Sequence, residues 1–161
     1  MKTALYVGSF DPITLGHLDI IRQAQMVFDT IYVGIGVNAK KTPTGSTEQR
    51  IDMVHESLRE LGMDENVIVG NYDGSLMQAA RDINADAIVR GLRQISDFGD
   101  EFTINGMVSR TLPQIPMIYF ICRQDFLHVS SSSVKEMWSL GEDFDWMVTD
   151  NVKRVMEQTS K

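Results

Sequence analysis

The sequence predicts an α/β fold: a single domain, residues 1–161, built on a doubly wound five-stranded parallel sheet with helices on both faces. Two observations lead to this prediction. Short apolar runs alternate five times with segments whose apolar residues recur at helical spacing. Strands that alternate with helices pair in parallel, and their helices cover both faces of the sheet. The length of 161 residues is typical of one domain with its own core.

The five predicted strands are short runs rich in β-branched residues, as expected of buried strands. They span residues 3–7, 30–37, 67–69, 87–89 and 117–121. The second run leads into Gly34-Ile35-Gly36-Val37-Asn38-Ala39, which matches G-x-G-x-x-A. A dinucleotide-binding motif requires a helix to open there, but a polar loop with Pro43 follows. We therefore reject that motif and assign the glycines to packing at the strand end.

Helices are predicted between the strands and after the last one. They span residues 16–28, 46–61, 75–83, 97–111 and 149–158, and another begins at Ser133. Three of them open with a capping-box pattern, in which a serine is followed three residues later by Gln or Glu. The serines are Ser46, Ser75 and Ser133. Leu61 completes the predicted buried stripe of the second helix, and Phe98, Phe102 and Met107 are apolar positions of the fourth.

Composition excludes several classes of protein. The net charge of −7 disfavours a general nucleic-acid-binding surface, because such binding depends on phosphate neutralisation. Nowhere do eighteen apolar residues run together, and the apolar run near the N-terminus is too short for a signal peptide, so no membrane association is expected. Cys122 is the only cysteine, which excludes an internal disulfide and argues against a cysteine-based zinc site. The natural expectation is a cytoplasmic protein.

The first loop is the strongest candidate for chemistry. Gly8-Ser9-Phe10-Asp11-Pro12-Ile13-Thr14-Leu15-Gly16-His17 joins the first strand to the first helix. A loop that starts with glycine can direct backbone N–H groups at an anion, and the N-terminus of the next helix favours negative charge. The alternative is that Asp11-Pro12 forms a simple turn and His17 is only a histidine at a helix start.

Three further loops carry cations or hydroxyl groups. They contain Lys40-Lys41, Arg90-Gly91-Leu92-Arg93 and His128-Val129-Ser130-Ser131-Ser132-Ser133. Alternatives exist for each: the lysines and arginines could be solvated, and a serine run could be a flexible linker. Yet the loops after strands one, two, four and five of a parallel sheet share one edge, where open α/β sheets bind ligands. Arginine also suits phosphate oxygens.

These motifs resemble those of a known family. The first loop resembles the (T/S)-F-D-x-x-x-x-G-H signature of the nucleotidyltransferase α/β-phosphodiesterase superfamily. Arg90-Gly91-Leu92-Arg93 with Asp97-Phe98 and Glu101, and Ser130-Ser131-Ser132 with Val134-Lys135-Glu136, make the chain similar to phosphopantetheine adenylyltransferases over nearly its whole length. The resemblance implies a Rossmann-like nucleotidyltransferase fold. It also implies transfer of the adenylyl group of ATP to 4′-phosphopantetheine, giving dephospho-coenzyme A and pyrophosphate, without a covalent enzyme intermediate.

The resemblance also implies roles for individual residues. His17, Lys41 and Arg90 would be catalytic: His17 would stabilise the transition state, and the two cations would hold the 4′-phosphate. The acceptor would be bound by Ser9, Lys41, Met77 and Arg90. ATP would be bound by Ser9, Phe10, His17, Gly91, Leu92, Arg93, Glu101, Phe126, Leu127, His128, Val129, Ser130, Ser131 and Ser132. No residue is assigned to a metal, and Mg²⁺ is expected to act together with ATP.

Some positions depart from the family pattern, and two other functions remain open. Val7, Asp100, Val108, Leu127 and His128 replace the usual residues, mainly near pantetheine and adenine. One alternative is a related nucleotidyltransferase with another phosphorylated acceptor. The other is a nucleotide-binding module without catalysis. By resemblance alone, the chain is expected to form a homohexamer and to be subject to feedback inhibition by coenzyme A.

Overall fold

The predicted five-stranded parallel sheet with helices on both faces is confirmed. The computed structural model describes residues 1–37 and 44–159, and within them five strands and six α-helices follow one another. The strands are β1 Thr3–Gly8, β2 Thr30–Gly36, β3 Val67–Tyr72, β4 Ala87–Leu92 and β5 Met117–Ile121. The helices are α1 Leu15–Gln25, α2 Thr47–Glu60, α3 Leu76–Asp82, α4 Ile95–Thr111, α5 Ser131–Ser139 and α6 Asp150–Thr159. Among the described residues, no helix is long and apolar enough to cross a bilayer.

The sheet winds outward from its central strand. Its order is β3-β2-β1-β4-β5, and every neighbouring pair is parallel. The chain first proceeds from β1 to β2 and β3 on one side, and then crosses to β4 and β5 on the other. The loops that follow β1 and β4 therefore leave the sheet in opposite directions. Such a switch point opens a crevice at the carboxyl ends of the strands.

Two hydrophobic clusters lie on opposite faces of the sheet. On β1, Ala4 and Tyr6 belong to the first cluster, whereas Leu5 and Val7 belong to the second. This alternation follows from the two-residue period of a strand. Helices α1, α2, α5 and α6 pack on the first face, and α3 and α4 pack on the second. The apolar strands are therefore buried from both sides, as their composition predicts.

Element boundaries differ from the sequence prediction at several ends. β3 and β4 are longer than predicted because pairing continues beyond the apolar runs, with Gly36 opposite Tyr72 and Leu92 opposite Ile121. The first helix ends at Gln25 rather than at residue 28, and α4 begins at Ile95 rather than at residue 97. The capping serines at positions 46 and 75 are confirmed, each accepting the N–H of the residue three positions later.

The buried faces of two helices were predicted incompletely. In α2, Leu61 is exposed because it follows the last helical residue, and Arg50 and Met53 are buried along with Val54 and Leu58. In α4, the buried residues are Glu101 and Val108, and Ile104 is partly buried against the second cluster, while four other apolar side chains are exposed. The exposed apolar residues of α4 are Ile95, Phe98, Phe102 and Met107. Each of these helices therefore buries one charged residue, Arg50 in α2 and Glu101 in α4.

Candidate active site

The first loop turns sharply after β1. Phe10 has a positive φ of 43°, which is uncommon for a residue other than glycine. Phe10 is 1% exposed, and its ring contacts the rings of Tyr6 and His17 edge to face, with centroids 5.4 and 5.0 Å away respectively. The loop is therefore held in an unusual backbone conformation by a buried aromatic anchor.

His17 is fixed in the first turn of α1 by a reciprocal capping box. Its backbone N–H donates to Thr14 Oγ1 at 3.3 Å, and its Nδ1 accepts the Thr14 N–H at 3.1 Å. Since Nδ1 is an acceptor, the neutral imidazole carries its proton on Nε2. Burial of the ring and, secondarily, the charge of Arg93 lower the pKa of His17 to about 4. At neutral pH His17 is thus an uncharged hydrogen-bond donor held in one orientation.

Arg90 lies at the carboxyl end of β4 and is bound by a carboxylate from α4. Its Nε donates to both oxygens of Glu101, at 3.0 and 2.9 Å, and its Nη2 donates to Glu101 Oε1 at 2.5 Å. Burial alone would lower the pKa of Arg90, but the Glu101 carboxylate outweighs that effect and raises it. Glu101, which is 8% exposed, therefore fixes a partly buried cation; in the part of the chain that the structure describes, the Nη1 of Arg90 has no hydrogen-bond partner and can bind an anion.

Gly91 lies near the end of β4, and Arg93 directly follows the strand. Arg93 Nε lies 3.6 Å from Asp97 Oδ2, and the Arg93 backbone N–H donates to the same oxygen at 3.0 Å. Gly91 is required by the packing of α1, since an added Cβ would lie 2.8 Å from Ile20 Cγ1. The end of β4 therefore packs closely on α1, and the residue that follows it is held to α4.

The serine run forms the N-terminus of α5, although its cap is not the predicted one. Ser130 is the N-cap: its side chain accepts the Ser133 N–H at 3.0 Å, and Ser133 Oγ accepts the Ser130 N–H at 2.9 Å. The prediction of a helix start at Ser133 with Glu136 is therefore wrong by three residues. The hydroxyl of a serine at the third helical position can take the place of the Gln or Glu of the usual capping box. Ser131 Oγ also donates to the Pro12 carbonyl at 2.8 Å, which ties α5 to the first loop.

These elements enclose one cavity of about 360 Å³ at the switch point. Eleven predicted site residues line it: Ser9, Phe10, His17, Arg90, Gly91, Arg93, Glu101, Val129, Ser130, Ser131 and Ser132. Five others are not among its lining residues: Met77, Leu92, Phe126, Leu127 and His128. Met77 packs against the second hydrophobic cluster, and Phe126 and Leu127 pack against the first. Lys41 lies outside the described residues, so its role stays a prediction.

The cavity also contains residues to which sequence reasoning gave no role. The side chains that add polar atoms are Tyr6, Thr14, Asp97, Asp100 and Cys122. Burial and the charge of Asp19 raise the pKa of the Cys122 thiol to about 11, so it lines the cavity as a neutral group. Thr14 could have been found from its position three residues before His17, which is the spacing of a capping box.

The donor set does not form a metal site of its own. Within residues 1–37 and 44–159, no three His, Cys, Asp or Glu side chains converge in a way that would hold a metal ion. Asp11, the acidic residue of the first loop, accepts the Thr44 N–H at 2.9 Å and lies 3.3 Å from Lys135 Nζ. A metal ion at this cavity would accordingly depend on ligands brought by a substrate.

Comparison with known proteins agrees with this geometry. Residues 5–137 match the family described as cytidylyltransferase-like. A phosphopantetheine adenylyltransferase of Desulforudis audaxviator is 40% identical over 156 residues, which cover 97% of this chain and 94% of that protein. One of Caldanaerobacter subterraneus subsp. tengcongensis is 36% identical over 162 residues, covering 100% and 99%.

A solved structure shares the fold at low sequence identity. A Vibrio parahaemolyticus protein described as a candidate nicotinate-nucleotide adenylyltransferase superposes with a TM-score of 0.73 at 17% identity, covering 98% of this chain and 93% of that one. At this identity the likeness concerns the fold alone. The matched family and the two relatives, which extend over nearly the whole chain, go further: this chain belongs to the phosphopantetheine adenylyltransferase family of cytidylyltransferase-like nucleotidyltransferases.

Proposed function

We propose that this chain transfers the adenylyl group of ATP to 4′-phosphopantetheine, giving dephospho-coenzyme A and pyrophosphate. The observation that carries the proposal is the convergence of His17, Arg90 and the N-terminus of α5 on one cavity. These groups come from three separate parts of the chain, and each suits a phosphate. Family membership gives the reaction and the substrates, and the cavity gives the groups that would perform it.

The acceptor needs no activation by a general base. Its phosphate is already ionised at neutral pH, so one of its oxygens can attack the α-phosphorus of ATP directly. The new P–O bond forms as the bond from the α-phosphorus to the bridging oxygen breaks, and pyrophosphate leaves with that bonding pair. Catalysis then consists of aligning two anions and stabilising the charge that develops between them.

The proposed division of labour follows from position and charge. The N–H groups at the start of α5, with Ser131 and Ser132, would bind ATP phosphates. The Nε2–H of His17 would donate to an oxygen of the α-phosphate as its charge increases. Arg90, held by Glu101, would bind the acceptor phosphate and reduce the repulsion between the two substrates. Lys41 and Met77 are assigned to the acceptor by the resemblance alone.

Mg²⁺ would enter as part of the nucleotide substrate. The described residues offer no cluster of ligands for the ion, so the triphosphate oxygens would hold it. The role of the protein would be to bind and orient the MgATP complex.

The remaining expectations concern the state of the enzyme in the cell. We propose a cytoplasmic homohexamer that is inhibited by its downstream product coenzyme A, as the resemblance implies. The exposed apolar side chains of α4, Phe98 and Phe102 among them, are compatible with association of subunits. Equilibrium sedimentation and inhibition assays with coenzyme A would test the two parts separately.

The decisive experiment is a pyrophosphate-release assay. Phosphopantetheine, nicotinamide mononucleotide and glycerol phosphate are each supplied with ATP or CTP. We expect turnover with ATP and phosphopantetheine to exceed that of every other pair by at least tenfold. Preference for another acceptor would identify a related nucleotidyltransferase, and ATP binding without turnover on any acceptor would identify a binding module.

A further inference from the structure

Arg50 is a buried cation that the proposed mechanism does not use. It lies in the first turns of α2 and is 3% exposed. Its position is unfavourable in two respects. The N-terminal end of a helix carries a partial positive charge, and a buried cation loses its hydration. The local sequence gives no reason for this burial, so the reason must lie in what the guanidinium contacts.

The guanidinium binds two backbone carbonyls at the carboxyl edge of the sheet. Nη1 donates to the Ser9 carbonyl at 2.6 Å and to the Gly36 carbonyl at 3.2 Å, and Nη2 donates to Thr47 Oγ1 at 3.3 Å. Its Nε is buried and has no hydrogen-bond partner within residues 1–37 and 44–159. The ion pairs among the described residues do not include Arg50. It therefore links the end of β2 to the first loop through backbone atoms rather than through a carboxylate.

The Ser9 carbonyl matters because of the residue that follows it. The C=O of one residue and the N–H of the next point in opposite directions across a trans peptide bond. When Arg50 holds the Ser9 oxygen, the Phe10 N–H is directed away from the guanidinium. That N–H has no partner among the described residues, and both Ser9 and Phe10 line the cavity. Arg50 also restrains the peptide immediately before the positive φ of Phe10.

We propose that Arg50 is a positioning residue, which fixes the Ser9–Phe10 peptide so that the Phe10 N–H is presented to the triphosphate of ATP. The inference rests on the proposed function, because it assumes that ATP phosphates occupy this side of the cavity. Arg50 itself does not line the cavity and so acts through the loop. An arginine is suited to this position because a single guanidinium can donate to two carbonyls and to a hydroxyl group.

The test compares Arg50→Met and Arg50→Lys with the control Arg59→Met. Arg59 lies on the same helix but is exposed, and its partner is Glu56. Dissociation constants for ATP are measured by calorimetry and those for adenosine by NMR titration, together with kcat, KM and urea unfolding. Adenosine lacks phosphates, so it reports on the rest of the cavity.

We expect Arg50→Met to weaken ATP binding by at least about tenfold and to lower kcat, while adenosine binding changes less than about twofold. For Arg50→Lys, ATP affinity and kcat should lie between those of Arg50→Met and the wild type, since the lysine ammonium reaches one bond less far and cannot satisfy the same three acceptors. Arg59→Met should match the wild type. Equal weakening of ATP and adenosine would overturn the proposal, because it would indicate general damage to the cavity. Wild-type affinity for ATP in folded Arg50→Met or folded Arg50→Lys would also overturn the proposal.

The design separates this inference from the proposed function. If the wild-type chain binds ATP but releases no pyrophosphate with any acceptor, the function is overturned, and the ratio of ATP to adenosine binding still decides the role of Arg50. If the wild-type chain does not bind ATP, both are overturned. If Arg50→Met does not fold, Arg50→Lys, which retains the charge, decides the comparison.

Discussion

Replacing His17 by alanine removes a neutral donor that is held rigidly in the cavity, where the proposed mechanism places the reacting phosphate. The Nδ1 contact with Thr14 and the ring contact with Phe10 fix the orientation of Nε2–H before substrate binds. Loss of one such preorganised donor typically lowers kcat by about 10²–10³, equivalent to roughly 2.7–4 kcal/mol of transition-state stabilisation. Substrate binding should weaken much less, since the donor acts mainly on charge that develops later.

The same substitution should also reduce stability, for a separate reason. The Thr14 N–H would lose its acceptor in a residue that is 1% exposed, and an orphaned buried donor costs about 1–3 kcal/mol. His17→Gln separates the two effects, because glutamine at this helical position can accept the Thr14 N–H in the usual capping box. We expect His17→Gln to recover most of the stability that His17→Ala loses, but to remain slow.

The assay is steady-state pyrophosphate release with saturating ATP and phosphopantetheine, combined with urea unfolding of each variant. His55→Ala is the matched control, since His55 is exposed on α2 and is not among the residues that line the cavity. A His17→Ala variant with kcat within about threefold of the wild type would show that His17 has no part in the mechanism, because the loss of such a donor lowers kcat by about 10²–10³.

Three further predictions concern stability. The pKa of His17 is about 4 in the folded protein against an ordinary 6.5, so between these pH values the unfolded chain binds a proton that the folded protein does not. The free energy of unfolding should therefore fall as pH decreases from 6.5 to 4. Urea titrations of His17→Gln should lack this contribution to the pH dependence. Glu101→Gln should lower the free energy of unfolding by about 2 kcal/mol, since Arg90 loses its counter-charge. Added inorganic phosphate should restore part of the lost melting temperature. An unchanged free energy of unfolding, or a melting temperature that phosphate does not raise, would refute the pairing. Ser130→Ala should lower stability by about 1 kcal/mol in urea unfolding through loss of the α5 cap, and an unchanged value would refute that assignment.

The sheet was predictable because each strand is a continuous apolar run and each connection is a helix. The convergence of His17, Arg90 and the serine run was predictable for the same reason, since parallel strands place alternate loops on one edge. The exact ends of the strands and helices were harder to predict. β4 continues through Arg90 to Leu92 because backbone pairing with β5 does not depend on side-chain polarity. The α5 cap was misplaced because two overlapping serine spacings both fit a capping pattern.

Features that depend on distant backbone atoms left no signal in the sequence. Arg50 resembles any charged residue in a helix, and its burial follows from carbonyls at Ser9 and Gly36 that only the folded chain brings together. The exposure of Phe98 and Phe102 is a second feature that the sequence did not indicate. Their spacing is helical, yet the buried contacts of α4 are made by Glu101 and Val108.

The pairing of cations with carboxylates around the cavity has a consequence for how substrates arrive. Arg90 is matched by Glu101, Arg93 by Asp97, and Lys135 by Asp11. Seen from a distance, each pair is nearly neutral, and the whole chain is acidic. Long-range attraction of ATP is therefore weak, and the rate at which ATP associates should change little with ionic strength. Recognition must occur at close range, which favours a nucleotide that fits over the many other anions of the cell.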